Sequence, residues 1–125
     1  MTQIFLAIAA ILGGLSVGLG AFGAHALREK VSDRALEIFE TAVRYQMYHA
    51  LALLVVALLL ARAEVAPPIL VVAGWALITG VVIFSGSLYA LSLTGIKWLG
   101  AITPLGGVAL IIGWGCLAIA AWRFQ

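Results

Sequence analysis

Two histidines are the residues of this sequence whose side chains offer the widest choice of chemistry. His25 ends a long apolar run in the segment GAFGAHAL, and His49 opens the next such run in RYQMYHALALL. An imidazole can bind a metal ion, relay a proton, or hold two hydrogen bonds through its ring nitrogens. Glu29 follows His25 by about one helical turn, but the sequence has no HExxH motif and no cysteine pair, since Cys116 is its single cysteine. We therefore predict no metal site and no bound cofactor.

The composition shows what kind of chain must position these side chains. Hydrophobic residues make up 65% of the 125 residues and charged residues 10%, whereas a soluble domain has about half and about a quarter. Asp, Glu, Lys and Arg are absent from 1–27, 45–61, 65–96 and 98–122. Each interval approaches or exceeds the length needed to cross about 30 Å of hydrocarbon. We therefore predict an all-α membrane protein, a bundle of four transmembrane helices in a single domain, 1–125.

Cap and turn residues set the expected helix boundaries. The four transmembrane helices are predicted at about 4–27, 44–60, 69–91 and 99–122. Two prolines in the segment RAEVAPP separate the second helix from the third. Between the first two helices, Ser32 can cap a helix at about 33–43, in which Leu36, Phe39 and Val43 share one side. This pattern predicts a short amphipathic interfacial helix along the membrane surface, or else a solvated cap on the bundle.

Glycines on the predicted helices indicate where helices pack most closely. Small residues let backbones approach each other in a membrane, where no hydrophobic effect draws helices together. The glycines expected to serve helix packing are Gly14, Gly18, Gly20, Gly23, Gly86, Gly106, Gly107 and Gly113. Gly14 and Gly18 form a GxxxG pair in the first helix. We expect that face to pack against neighbouring helices of the same chain, and dimerisation through it is the alternative.

Polar side chains within the predicted helices gather in one half of the bilayer. The first two helices are antiparallel, so His25 near the end of one and His49 about one turn inside the other are expected at similar depth. The segment FSGSLYAL of the third helix is expected at the same depth. The first residues of the fourth helix, with Thr103, are expected there as well. The predicted cluster consists of His25, Tyr45, Gln46, His49, Ser85, Ser87, Tyr89 and Thr103.

Three interpretations of this cluster are open at the level of sequence. Its hydroxyl, amide and imidazole groups could hydrogen-bond one another and hold the helices together, which is the interpretation we narrowly favour. They could instead bind the polar head of a lipid, a quinone or another small molecule. A proton or metal site has the least support, because the ligand pattern is incomplete.

Lys and Arg residues are unevenly divided between the two ends of the predicted bundle. The loops after the first and third helices share an end, which carries Arg28, Lys30, Arg34, Arg44 and Lys97, whereas the other end carries Arg62 and Arg123. The positive-inside rule therefore places loops one and three in the cytoplasm and both termini in the periplasm or outside the cell. The net charge of +2 is too small to indicate nucleic-acid binding. The expected partners are membrane lipids and a homo-oligomer or larger membrane complex.

Four segments of the chain resemble the YgdD/YwdK-like family of small membrane proteins, which is classed as a domain of unknown function and has a eukaryotic transmembrane relative. The segments are GAFGAHAL, FETAVRYQMYHALALL, FSGSLYALSLTG and ITPLGG with a following GW, and they span most of the chain in order. The resemblance implies a four-helix protein of the bacterial inner membrane with uncharacterised molecular activity. It implies no substrate or reaction, and the residues that it highlights are Gly23, His25, Tyr45, Gln46, His49, Ser85, Gly86, Ser87, Tyr89, Thr103 and Pro104.

Three classes of function follow from these observations. We expect a non-enzymatic protein that supports membrane integrity or a larger membrane complex. The alternative is a protein that binds or transports a lipid, quinone or other small molecule through the polar cluster. An enzyme acting on a membrane substrate is the least favoured class, because no nucleophile–base pair and no paired carboxylates can be assigned within the membrane.

Overall fold

A computed structural model describes residues 1–124, and Gln125 lies outside the described residues. The helices are α1 (Thr2–Phe22), α2 (Asp33–Arg62), α3 (Pro68–Thr94) and α4 (Thr103–Ala121). A π-helical turn, Gly23–Leu27, continues α1, and a 3₁₀ segment, Lys97–Ala101, precedes α4. All four helices are long and apolar enough to cross a membrane. The predicted all-α membrane protein with four transmembrane helices is confirmed.

Local sequence signals explain where the helices begin and end. The Ser32 hydroxyl accepts a hydrogen bond of 3.1 Å from the Ala35 amide, which satisfies one free donor of the first turn of α2. Pro68 begins α3, where a missing backbone N–H costs nothing. Gly95 ends α3 in the left-handed conformation, with φ of 72°, which glycine adopts without steric cost. Pro104 lies in the first turn of α4, so it does not kink that helix.

The second helix is continuous over 30 residues, from Asp33 to Arg62. No glycine or proline interrupts this range, so nothing in the sequence breaks the helix near residue 44. The apolar side of its first three turns, with Leu36, Phe39 and Ala42, is buried against neighbouring elements of the bundle. The separate interfacial helix predicted at 33–43 is therefore not confirmed, because this segment forms the start of α2.

The helices pack in chain order, with α2 and α3 in the centre. α2 contacts both α1 and α3, and α4 packs mainly on α3. The core between them is aliphatic and aromatic, and Phe5, Leu53, Val56, Leu70 and Leu77 are almost fully buried in it. The two outer helices consequently expose much of their surface to the surrounding membrane.

Glycines bring α3 and α4 into close contact. A Cβ atom added at Gly106 would lie 2.8 Å from the Phe84 Cα, and one added at Gly113 would lie 2.7 Å from a methyl group of Leu77. On the other side of the bundle, an added Cβ at Gly23 would lie 3.1 Å from the Phe39 ring. The packing is looser at Gly20 and at Gly107, where the nearest atoms lie at 3.5 Å and 3.9 Å.

Three of the glycines expected to pack against neighbours do not do so. Within the described residues, no atom lies within 4 Å of a Cβ added at Gly14, Gly18 or Gly86. The reason in α1 is rotational, because Phe5 and Ser16 face the bundle and turn the GxxxG face outward. The expectation that this face packs within the chain is therefore wrong for Gly14 and Gly18.

Candidate functional site

Gln46 of α2 joins three helices through its side-chain amide. The Nε2 group donates to the Leu12 carbonyl of α1 at 2.9 Å, and Oε1 accepts from the Tyr89 hydroxyl of α3 at 2.7 Å. Ser16 donates to the same Leu12 carbonyl at 2.8 Å. Gln46 is 4% exposed, so water does not compete strongly for these bonds. This amide is the central polar contact of the bundle.

Two serines of α3 make further hydrogen bonds between helices. The Ser85 hydroxyl donates to the Ala42 carbonyl of α2 at 2.8 Å. Ser87 and Thr103 lie 2.6 Å apart, oxygen to oxygen, and join α3 to the start of α4. Ser87 also donates to the Phe84 carbonyl at 3.0 Å, so Thr103 is the donor to Ser87.

His49 links α2 to α4 and has a defined tautomer. The indole N–H of Trp114 can only donate, and it lies 3.0 Å from His49 Nε2. Nε2 is therefore the acceptor, which leaves the ring proton on Nδ1, where it donates to the Tyr45 carbonyl at 2.6 Å. Both ring nitrogens are occupied, and the residue is 6% exposed.

His25 lies apart from His49 and from the polar cluster. It is exposed on the π-helical turn and makes no side-chain hydrogen bond to any of residues 1–124. Gly23 of that turn packs against Phe39, ten residues before His49, which corresponds to about 15 Å along α2. The expectation of similar depth is wrong because α2 begins three turns earlier than the pattern predicted.

A groove lies between α2 and α4, with α3 as its floor. We name it the aromatic groove; its volume is about 510 Å³, and it is lined by Tyr45, Tyr48, His49, Phe84, Gly107, Leu110, Ile111 and Trp114. The Tyr45 ring stacks on Phe84 with a centroid distance of 4.5 Å. Tyr48 and Trp114 are 52% and 49% exposed, so the groove opens sideways. A cavity of this size and lining suits a largely apolar ligand.

A second depression lies between α2 and α3, near the end of the bundle that carries most of the charges. We name it the polar cleft; its volume is about 480 Å³, and it is lined by Arg34, Glu37, Ile38, Thr41, Arg44 and Leu88. Arg34 lies 3.3 Å from the Glu37 carboxylate, and Arg44 lies 3.4 Å from Glu40. These side chains are exposed, and such pairs hold their partners weakly.

Of the eight residues predicted to cluster, the structure brings seven into two adjoining parts. Six of them join helices, namely Gln46, His49, Tyr89, Ser85, Ser87 and Thr103. The seventh, Tyr45, lines the aromatic groove beside His49, where Tyr48, which is outside the predicted cluster, lies as well. Sequence reasoning missed Trp114 as the partner of His49. Its position in the middle of a helix was a signal, because a buried indole N–H normally finds an acceptor.

Comparison with known proteins places the chain in a family. A family profile described as "Protein of unknown function (DUF423)" matches residues 19–107. The chain is 50% identical over 122 residues to the UPF0382 membrane protein YwdK of Bacillus subtilis, and 48% identical to a UPF0382 membrane protein of Staphylococcus epidermidis, with 98% of each chain covered in both cases. No solved structure matches. The chain is therefore a member of the DUF423 family of multi-pass membrane proteins.

Proposed function

We propose that this protein has a non-enzymatic role, in which its four-helix unit supports membrane integrity or a larger membrane complex. The observation that carries the proposal is the use made of the polar side chains. Gln46, His49 and Thr103 each make a side-chain hydrogen bond to another helix. Both polar atoms of the Gln46 amide and both ring nitrogens of His49 have partners. A general acid or base must instead have a proton or lone pair available to a substrate.

The outward face of α1 supports association with another helix. Gly14 and Gly18 have no atom of the described chain within 4 Å of an added Cβ, and Ala7 and Ala21 continue the same small-residue face. Such faces allow close backbone contact between membrane helices. A homo-oligomer or a larger complex would cover this surface.

The experiment measures the mass of the protein extracted from its own membrane in polymer nanodiscs. We expect wild type to run as an assembly, and Gly14→Leu with Gly18→Leu to run as the monomer, because two large side chains would keep a second helix away. Gly115→Leu is the matched control, since it makes the same change at an open position of α4. A monomeric wild type would contradict a role in a larger complex, and an unchanged mass of the α1 variant would contradict association through this face.

A second candidate function is the binding of a lipid, quinone or other small molecule in the aromatic groove. The specific observation that favours it is the sideways opening of this groove, with the Tyr45, Tyr48 and Trp114 rings at its walls. Rings with one polar edge suit a ligand that is apolar along most of its length. Mass spectrometry of molecules that co-purify with the protein tests this function, and an empty wild-type protein would count against it.

A further inference from the structure

The polar cleft and the aromatic groove follow one face of α2. Arg34, Glu37, Thr41, Arg44 and Tyr48 succeed one another at intervals of three or four residues, which places them along one side of a helix. The wall formed by α3 is continuous as well, because Leu88 borders the polar cleft and Phe84, one turn away, borders the aromatic groove. The two cavities share no lining residue, but they lie in line along α2 and α3. We name this pair of neighbouring cavities, charged at one end and aromatic at the other, the depression.

The boundary between the two cavities coincides with the boundary of the apolar part of α2. Arg44 is the last charged residue before the charge-free interval 45–61. The polar cleft thus lies at the depth of lipid headgroups, and the aromatic groove lies at the depth of acyl chains. α4 borders only the deeper part, because it begins at Thr103.

The opening and the charges of the depression define its ligand. Ile111 and Tyr48, at the edges of the aromatic groove, are 71% and 52% exposed, so a ligand enters sideways from the hydrocarbon. Two guanidinium groups and the Glu37 carboxylate line the polar cleft. A second carboxylate, that of Glu40, lies outside the lining and pairs with Arg44 at 3.4 Å. Guanidinium groups match phosphate oxygens in geometry, and the exposed pairs with Glu37 and Glu40 are weak enough to be exchanged for them.

We propose that this depression binds one glycerophospholipid. Its phosphate lies between Arg34 and Arg44, and one acyl chain lies in the aromatic groove along Ile111 and Trp114. The inference rests on the second candidate function above and names the ligand class for it. It is independent of whether the face of α1 meets a partner.

The experiment uses full-length protein that has been delipidated in detergent and mixed with a single probe. The probes are dioleoyl phosphatidylethanolamine, dioleoylglycerol, which lacks the phosphate, and a menaquinone. Native mass spectrometry counts the bound molecules, and we expect one phospholipid retained at least about tenfold more tightly than dioleoylglycerol. Arg34→Gln with Arg44→Gln removes this preference, and Gly107→Leu lowers retention of all acyl-chain probes by filling the groove.

Two matched controls keep the result specific. Arg28→Gln removes a positive charge at the same end of the bundle but outside the polar cleft, and Gly115→Leu adds the same side chain to α4 outside the aromatic groove. Both retain the phospholipid as wild type does. If Gly107→Leu does not fold, Ile111→Trp narrows the groove at an exposed position and gives the same loss.

Each contrary result identifies which idea fails. Menaquinone bound in place of phospholipid would overturn the phospholipid assignment and leave the second candidate function standing. No retention of any probe would overturn both. Equal retention of phospholipid and dioleoylglycerol, or retention unaffected by the two arginine substitutions, would overturn the placement of the phosphate.

Discussion

Ionisable residues inside a membrane usually mark a functional site, yet His49 is occupied at both ring nitrogens. Its bond to Trp114 joins α2 to α4, two helices that otherwise lie on opposite sides of the aromatic groove. The histidine therefore joins the two walls of the groove and also contributes to its lining. A structural role and a ligand-binding role make different demands on it and can be separated by mutation.

A double-mutant cycle between His49 and Trp114 measures the structural role. We expect His49→Ala to lower the free energy of unfolding in detergent by about 1–3 kcal/mol, because it leaves the indole N–H unpaired near a dry interface. The coupling energy with Trp114→Phe should be about 0.6 kcal/mol, the average for hydrogen bonds between membrane helices, and at most about 1.7 kcal/mol, the largest value found. His49→Gln should recover part of the loss, because an amide keeps a donor and an acceptor.

His25→Ala is the matched control for this cycle. This residue is exposed on the π-helical turn, and a change there should alter stability by less than about 0.5 kcal/mol. If His25→Ala and His49→Ala lower the free energy of unfolding equally, the hydrogen bond between His49 and Trp114 does not stabilise the bundle as proposed.

The residue scale also shows what sequence could and could not give. Residue types and approximate depth were enough to collect Gln46, Ser87 and Thr103 into one region. They could not pair His49 with Trp114, because that contact depends on how α4 is rotated against α3, and no periodic signal in a uniformly apolar helix reports its rotation.

At the scale of elements, the glycines fall into two groups: those packed between α3 and α4, and those of α1 that face outward. The close approach of α3 and α4 depends on Gly80, Gly106 and Gly113, each of which has no room for a side chain. Gly14 and Gly18 of α1 leave space that none of residues 1–124 fills. The sequence shows where glycines lie along each helix but not which of them turn inward, because apolar residues lie on all sides of α1, α3 and α4.

Alanine substitutions separate the two kinds of glycine. Gly106→Ala places a Cβ against the backbone nitrogen of Phe84 and 2.8 Å from its Cα, so α3 and α4 must move apart. We expect a loss of about 1–3 kcal/mol in the free energy of unfolding. Gly18→Ala meets no atom within 4 Å and should leave monomer stability unchanged or slightly higher, because alanine favours the helix. Thermal unfolding in detergent measures the stability of both variants. A comparable loss of stability in Gly106→Ala and Gly18→Ala would contradict the distinction between packed and open glycines.

The length of α2 is the second feature of the elements that sequence reasoning misjudged. Its 30 residues correspond to about 45 Å, against about 30 Å of hydrocarbon. From the sequence alone, the charged residues of its first turns predict a separate helix on the membrane surface. They instead form one side of a helix whose other side is covered by α1 and α3, and this extension supplies the wall of the polar cleft.

For the whole molecule, the four helices alternate in direction, so Thr2 at the start of α1, Ala121 at the end of α4 and the loop at 63–67 share one end of the bundle. The opposite end carries Arg28, Lys30, Arg34, Arg44 and Lys97. The end with the loop at 63–67 carries only two positively charged residues, Arg62 and Arg123. The polar cleft lies at the end with five positive charges. The orientation of the protein therefore determines which leaflet supplies the proposed phospholipid.

Reporter fusions test that orientation. We expect a reporter joined after the last residue to behave as periplasmic or extracellular, and a reporter inserted at 28–32 to behave as cytoplasmic, because five Lys and Arg residues against two favour the first loop inside. A charge-swapped variant replaces Arg28, Lys30 and Lys97 with Gln and adds three Lys at 63–67. It leaves two Lys and Arg residues at the end with loops one and three and gives five to the opposite end. If charge sets the topology, this variant inverts or becomes mixed, whereas a fixed orientation in both proteins would show that another feature directs insertion. A cytoplasmic C-terminus in wild type would place the polar cleft, and the lipid it is proposed to bind, in the outer leaflet.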